Sequence, residues 1–495
     1  MLAGLALRFA TLGHQSFWED ETLTAWQAHL PFDRFVEGLP DSEASPPFYF
    51  LLVWPWTRVF GGGEAGIRSF SAAAGTLTIP IVFLCARQLL SARAGLIAAL
   101  LAAASPALIW YSQEARPYAL MILLSTCSLL FFVRALKPSQ ERTRELNRWA
   151  IFSCLAMATH YFAWFAAGTE GVWLAIALLR ERRHEGRWTT LPNTLRPLLR
   201  PAVIVALTAV ALLPLLYYQR VSGGGADLGF IGDNPLADRL KDAGAEFVYG
   251  ADRPGFNFLP AIEVVALAAL ALLCWRGDRA ARRATAIPLG VAALLIVEPW
   301  VLDVAGLRYI DQRTLLVALT PLIIGIAIAL AVPAIRVVAA ALVAVAVGVS
   351  FTVLVLVQTD PTIQREDWRG AARALGPAPR DRIIVVAPDL ANPRPLPPLV
   401  ALEGLYRRDV RQLPRSGASV AEIDVLDVRG SPSDQAPVAS PRPPARGFRL
   451  LAHRTNGNYN LFRFVAPGLV HVTPHGLTGE HLLDRDATIA VQRPS

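Results

Sequence analysis

From Val337 to Val357 the chain runs for 21 residues without one charged side chain. A helix rises about 1.5 Å per residue, so such a run crosses the roughly 30 Å hydrocarbon core of a bilayer. Apolar runs recur at 67–87, 94–111, 117–136, 149–163, 164–180, 201–219, 259–276, 285–304 and 314–332. Charged residues make up only 17% of the 495, against 54% apolar, a balance foreign to soluble chains of this length. With a partial run at 1–13, about eleven spans are expected. That first run is too short to span by itself. It reads as the inner part of a first membrane helix with residues upstream of Met1, or as a helix that begins at the interface.

The net charge of +8 does not point to nucleic acid, because the arginines gather in short loops between apolar runs. "ARQLLSAR", "KPSQERTRELNR", "RERRHEGR" (180–187) and "RGDRAARR" (276–283) obey the positive-inside rule if "PPFYFLLVWPWTRVF" (46–60) does not span. Pro55 interrupts that segment, and Trp54 and Trp56 suit the interface. The outer side then receives 14–66, 112–116, 220–258, 305–313 and everything after 358.

The tail has another character. Long apolar runs stop near "QTDPTIQREDWRGAARAL", and prolines cluster in "ANPRPLPPL" and "SPRPPAR". "DRIIVVAP" (381–388) reads as a buried strand, "GFRLLAHR" and "NLFRFVAP" as further strands, and "DWRGAARAL" as a helix. The expected fold class is therefore mainly α. It is a polytopic transmembrane helix bundle, 1–357, with a small C-terminal extracytoplasmic α/β domain, 358–495. The tail is expected to shape acceptor choice and to hold no essential chemistry, since Asp389 and His471 fall in no triad or metal spacing. Cys85, Cys127, Cys154 and Cys274 all lie in apolar runs without CxxC spacing and read as buried small hydrophobes.

Four constellations carry possible chemistry. In "SFWEDETLTAWQ" (16–27), Glu19, Asp20 and Glu21 stand together. Asp20 can cap the helix that follows, or act as a general base at the membrane surface. In "YSQEARPYAL" (111–120), Glu114 and Arg116 can pair with each other, or Arg116 can hold a phosphate with Tyr118 adding a hydroxyl. In "LRYIDQRTLLVALTPL" (307–322), Arg308 and Arg313 sit on the outer side against the positive-inside trend. An anionic lipid phosphate accounts for them, as does snorkelling to headgroups. In "THYFAWFAAGTEGVW" (159–173), His160 and Tyr161 fall near the outer end of a span, with Glu170 deeper. A carboxyl at that depth marks a functional site or a hydrogen-bonded acid inside the bundle.

No Walker loop, HExxH, GxSxG or Rossmann glycine pattern occurs in a fitting context, and "GGGE" (61–64) and "SGGGAD" (222–227) read as turns. A cytosolic nucleotide-sugar enzyme is disfavoured on that ground. A lipid-linked saccharide transporter or flippase would need midplane ionisable residues, and only Glu170 comes near. A non-catalytic membrane scaffold is the other rival. Convergence of Asp20 and the outer arginines on one cavity would separate these readings.

Taken in order, "SFWEDET", "SPPFYFLL", "GIRSFSAAAGTLTIP", "ASPALIWYSQEARPYAL", "THYF", "RYIDQRTLLVALTP" and "REDWRGAARAL" resemble the GT-C glycosyltransferases. The nearest group is the bacterial branch related to protein O-mannosyltransferases and lipid A aminoarabinose transferases, and the match covers roughly residues 5–375. The resemblance implies a GT-C bundle, a polyprenyl-phosphate sugar donor, an active site facing away from the cytosol in a bacterial cytoplasmic membrane, and inverting transfer to a glycan, lipid or protein hydroxyl. It implies a catalytic carboxylate at Asp20 with Glu21 as its neighbouring acid, and donor-phosphate contacts at Arg116, Arg308 and Arg313. Glu114, Tyr118, His160, Tyr161, Glu170 and Arg68 complete the expected substrate pocket. Many relatives read His-Pro-Pro where this chain has Ser45-Pro46-Pro47, which makes a metal site less expected. Metal dependence varies across the superfamily, so no cofactor is required and a divalent metal stays open.

Overall fold

The computed structural model describes residues 1–42, 44–184, 191–221, 235–250, 258–307, 310, 313–360, 363–386, 400–428, 443–456, 458–478 and 488–494. The helices are α1 (Leu2–Phe9), α2 (Glu19–His29), α3 (Phe32–Ser42), α4 (Phe48–Phe60), α5 (Glu64–Leu89), α6 (Ala92–Ala104), α7 (Pro106–Ser112), α8 (Tyr118–Ala135) and α9 (Arg142–Thr159). They continue with α10 (Ala163–His184), α11 (Leu191–Val221), α12 (Leu236–Tyr249), α13 (Leu259–Arg276), α14 (Arg279–Leu302), α15 (Leu319–Leu330), α16 (Arg336–Thr359) and α17 (Trp368–Leu375). The strands are β1 (Arg382–Val386), β2 (Val410–Gln412), β3 (Ala418–Val428), β4 (Arg449–Thr455), β5 (Tyr459–Val472) and β6 (Thr488–Gln492).

Two compact units cut across chain order. Met1–Thr11, Val36–Phe60 and Ile67–Val355 form one, and Leu12–Phe35, Gly61–Gly66 and Leu356–Ser495 form the other. The segment 14–66, expected to belong with the membrane part, thus contributes to both.

Among the described residues, six helical stretches are long and apolar enough to cross a membrane: Glu64–Leu89, Tyr118–Ala135, Leu195–Gln219, Leu259–Arg276, Arg279–Gly306 and Pro333–Thr359. The pair α6–α7, bent by 58°, makes a seventh if counted as one span. The expected eleven is too many, for local reasons. The helix α1 has only eight residues. The helix α9 opens on the polar run RTRELNR, and α10 carries Glu170, Arg180 and Glu181. The apolar stretch Thr314–Leu330 is short and begins as a 3-10 turn. At 13 residues, α4 is shorter than a span requires, in line with the expectation that 46–60 does not cross.

Inside the first unit, α8 packs on α9, and α15 packs on α14 and α6. Polar groups in this interior are matched to one another. Glu170 accepts from Ser128 Oγ and, at 2.8 Å, from Trp149 Nε1, while Thr126 and Thr320 hydroxyls lie 3.0 Å apart. Hydrocarbon offers no alternative partner, so such matching is what a bundle interior demands. Cys85 and Cys127 are buried as expected, but Cys274 is exposed, on an apolar helix that turns few residues inward.

The second unit holds a six-stranded sheet of order β2-β6-β1-β3-β5-β4, antiparallel except for β1 with β3. All five residues of β1 are buried because both faces of the sheet are covered. Ile384 and Val386 join Trp368, Ala371 and Leu375 of α17 on one face, while Ile383 and Val385 meet Phe448, Phe462 and Phe464 on the other. This alternation is the period-2 geometry of a strand. The expected strands and helix of the tail are therefore present, β1, β4 and β5 with α17.

Candidate functional site

Within the first unit the candidate residues sit on connections between helices. Gln113 ends α7 and Pro117 opens α8. A residue before proline avoids the helical region, so Glu114, Ala115 and Arg116 form a non-helical corner between the two helices. Ser71 Oγ of α5 donates to the Arg116 carbonyl at 3.4 Å, and Arg68, buried one turn earlier on α5, lies on the same stretch. The Arg116 guanidinium lies 6.0 Å from the Phe50 ring.

Arg313, just before the turn Thr314–Ala318, places its guanidinium 5.9 Å from the Tyr118 ring. The His160 ring, at the end of α9, lies 5.3 Å from that same Tyr118 ring. Arg116 and Arg313 both exert their positive charge on His160. Arg313 and Glu114 also act electrostatically on Tyr111, whose ring is 5.2 Å from Tyr118. Arg116, Arg313, Tyr118, His160 and Glu114 thus come together. Planar cations and neutral donors of this kind are the groups that match phosphate oxygens. Arg308 lies outside the described residues.

Two other expected pocket residues are hydrogen-bonded within the bundle. The Tyr161 hydroxyl donates to Gln219 Oε1 at 2.8 Å, and Gln219 Nε2 donates to the Ser45 carbonyl at 3.3 Å. Tyr161 therefore braces the Ser45-Pro46-Pro47 corner. Glu170, two turns into α10, is engaged by Ser128 and Trp149 in the bundle interior.

The sequence reading missed the contribution of α12. Its Glu246 accepts from the Tyr111 hydroxyl at 2.5 Å. Gly250 ends α12 with φ +68°, and a Cβ there would meet the Ala107 Cα at 2.6 Å, so only glycine allows α12 to close on α7. At the other end of α12, Arg239 holds Asp303 through two bonds of 2.7 and 2.8 Å and donates to the Ile310 carbonyl at 2.9 Å. Asp303 in turn accepts from the Ile310 N–H at 3.2 Å. This bidentate pair holds the Ile310 backbone. The available signal was "LADRLKDAGAEFVYG", an amphipathic segment ending in glycine.

The acidic helix belongs to the second unit. Trp18 is extended and forms the N-cap of α2, and Glu21 at the third helical position accepts from the Trp18 N–H at 3.4 Å. Asp20 is therefore not the cap, contrary to one of the two sequence readings. The backbone turns two residues earlier than that reading needs, and the bond to the cap residue's N–H falls to Glu21. Glu21 is fully buried, whereas Asp20 is half-buried in the first helical turn. Three acids at a helix N-terminus are favoured by the helix dipole. Among the described residues no group of three or more His, Cys, Asp and Glu side chains is placed to hold a metal ion.

Residues 44–216 match the family model described as dolichyl-phosphate-mannose-protein mannosyltransferase. No curated protein matches the chain. Among solved structures, ArnT from Cupriavidus metallidurans in the apo state is similar with a TM-score of 0.52 at 14% identity, covering 93% of this chain and 96% of that one. The same protein bound to undecaprenyl phosphate gives the same values. On this likeness the chain shares the fold of that protein.

Proposed function

We propose that this chain is an integral membrane glycosyltransferase that moves a sugar from a polyprenyl-phosphate donor to a hydroxyl acceptor, with inversion, at the outer face of a bacterial cytoplasmic membrane. The observation that carries the reading is the run of contacts from the Arg313 guanidinium to the Tyr118 ring and on to the His160 ring, with Arg116 in the corner just before Tyr118. A donor of this class presents a phosphodiester at the membrane surface and needs no nucleotide. Its similarity in fold to a protein crystallised with undecaprenyl phosphate supports the same donor class.

In this reading Arg116 and Arg313, with Arg308, grip the donor phosphate, and Tyr118 and His160 border it. The acceptor oxygen forms its bond to the anomeric carbon as the bond from that carbon to the phosphate oxygen breaks. Asp20 takes the hydroxyl proton, and polyprenyl phosphate leaves as an anion held by the arginines. Asp20 suits the base better than Glu21, since Glu21 is buried and bonded to the Trp18 amide.

The test is donor binding by purified protein in nanodiscs, with undecaprenyl phosphate as the probe. Loss of a charge-assisted hydrogen bond costs about 1.5–3 kcal/mol, so Arg116→Ala and Arg313→Ala should each weaken binding roughly 10- to 150-fold. Wild-type affinity in both variants would refute the phosphate role.

A further inference from the structure

The second unit contains a polar clamp on the short segment that precedes the acidic helix. Tyr406, at the end of Val400–Tyr406, accepts the Phe17 N–H at 3.1 Å and donates to Glu64 Oε1 at 2.9 Å. Arg369 of α17 reaches the same Glu64 Oε1 at 3.3 Å and donates to the carbonyls of Gly13 at 3.1 Å and His14 at 2.7 Å. The Arg369 N–H goes to Ser16 Oγ at 3.2 Å, and the Arg365 N–H to Gln15 Oε1 at 3.1 Å. Every residue from Gly13 to Phe17 is therefore bonded to residues that follow position 356 in the chain.

The helix α2 begins two residues after this clamp and packs on Val400–Tyr406. There a Cβ on Gly404 would lie 3.0 Å from Trp26 Cδ1. Burial, with Glu64 beside it, pushes the Tyr406 phenol above its ordinary range, so the hydroxyl stays protonated and keeps donating.

We infer that Tyr406, Arg369 and Glu64 are positioning residues that fix Gly13–Phe17 and thereby set the placement of the proposed base Asp20. Residues after position 356 then bear on the chemical step through the segment that carries the proposed base. This inference rests on the reading of Asp20 as base. A helix free to shift its first turn loses catalytic alignment while the donor, bound by other residues, keeps its affinity. Only the chemical step is then affected.

The experiment compares Tyr406→Phe, Glu64→Ala and Glu64→Gln with wild type and Asp20→Asn in nanodiscs. It reads sugar transfer from an undecaprenyl-phosphate sugar, and hydrogen exchange of residues 13–29. Tyr406→Phe removes one hydroxyl and keeps the ring, and should lower kcat about tenfold or more with donor KM within about twofold. Exchange over 13–29 should rise while the strands β1 and β3 keep their protection. Glu64→Ala should behave likewise, and Glu64→Gln, which retains the acceptor oxygen, should recover most of both. Unchanged exchange over 13–29 in Tyr406→Phe overturns the clamp whatever Asp20→Asn does. Faster exchange with unchanged kcat, where Asp20→Asn is inactive, overturns its catalytic consequence. Near wild-type turnover by Asp20→Asn refutes the base reading alone, and the exchange result then decides the clamp.

Discussion

Arg8 Nη2 donates to the Ala102 carbonyl at 3.0 Å, four residues before Pro106. A proline has no N–H, so the carbonyl four residues earlier loses its helical partner, and here an arginine from α1 supplies the missing donor. Arg8 also reaches the Ala103 carbonyl at 3.2 Å and, through Nε, Ser112 Oγ at 3.2 Å. Gly75 makes room, since a Cβ there would fall 1.9 Å from Ser112 Oγ and 3.3 Å from Arg8 Nε. Gln113 completes the joint by donating to the Leu7 and Arg8 carbonyls at 3.1 and 3.2 Å. The bend that begins the corner carrying Glu114 and Arg116 is thus held by an arginine with no solvent exposure.

Arg8→Met should destabilise the protein by about 2–6 kcal/mol, because two buried carbonyls lose donors worth roughly 1–3 kcal/mol each and gain no water. Thermal unfolding in a mild detergent reads this. A variant with unchanged melting would mean that the bend needs no donor from α1.

The tail was legible because its signals are local. "RIIVV" is a strand buried on both faces, and the side chains of "WRGAARAL" alternate at helical spacing around a single buried stripe. The span count was not legible because apolar composition does not report bends or short helices. Ala92–Ser112 reads as one run, yet Ser105 and Pro106 break it. The site was legible only in part. Arg116, Arg313, Tyr118 and His160 stand in polar interruptions of apolar runs, which any reading would mark. Glu246 and Tyr111 are 135 residues apart, and Tyr406 and Phe17 are 389 apart. No pattern in sequence announces pairs so distant; only the fold makes them neighbours.

The pair Arg239–Asp303 gives a second stability prediction. Both side chains are largely buried and joined bidentately. Removing one partner strands the other charge, so Arg239→Ala or Asp303→Ala alone should cost about 3–5 kcal/mol. The double variant should cost clearly less than the sum, since neither charge is then left behind. Additive losses in a double-mutant cycle would show that the pair is not the element holding Ile310.

In the sheet, Asp424 is fully buried and meets Arg463 at 2.8 Å and Arg382 at 3.2 Å. Arg382 is itself nearly without exposure. Asp424→Ala should therefore destabilise the second unit by about 3 kcal/mol or more, with Glu422 left as the remaining acid beside both arginines. Hydrogen exchange of β1 and β3 measures it, and unchanged protection there would refute a structural role for the carboxylate.

Asp20→Asn separates the two accounts of the acidic cluster. The cap belongs to Trp18 and Glu21, so the substitution leaves the capping bond intact and removes only a charge at the helix N-terminus. That loss is worth about 0.3–1 kcal/mol, too little to unfold the helix. If Asp20 is the base, sugar transfer should fall about 10²-fold or more while undecaprenyl-phosphate affinity stays near wild type. Glu21→Gln keeps an oxygen for the Trp18 amide and should cost less. Glu21→Ala removes the cap and should lower stability by about 1 kcal/mol, with activity following the folded fraction. The opposite ranking, with Glu21→Gln inactive and Asp20→Asn active, would transfer the base to Glu21. It would also require the buried carboxylate to leave the Trp18 amide during turnover.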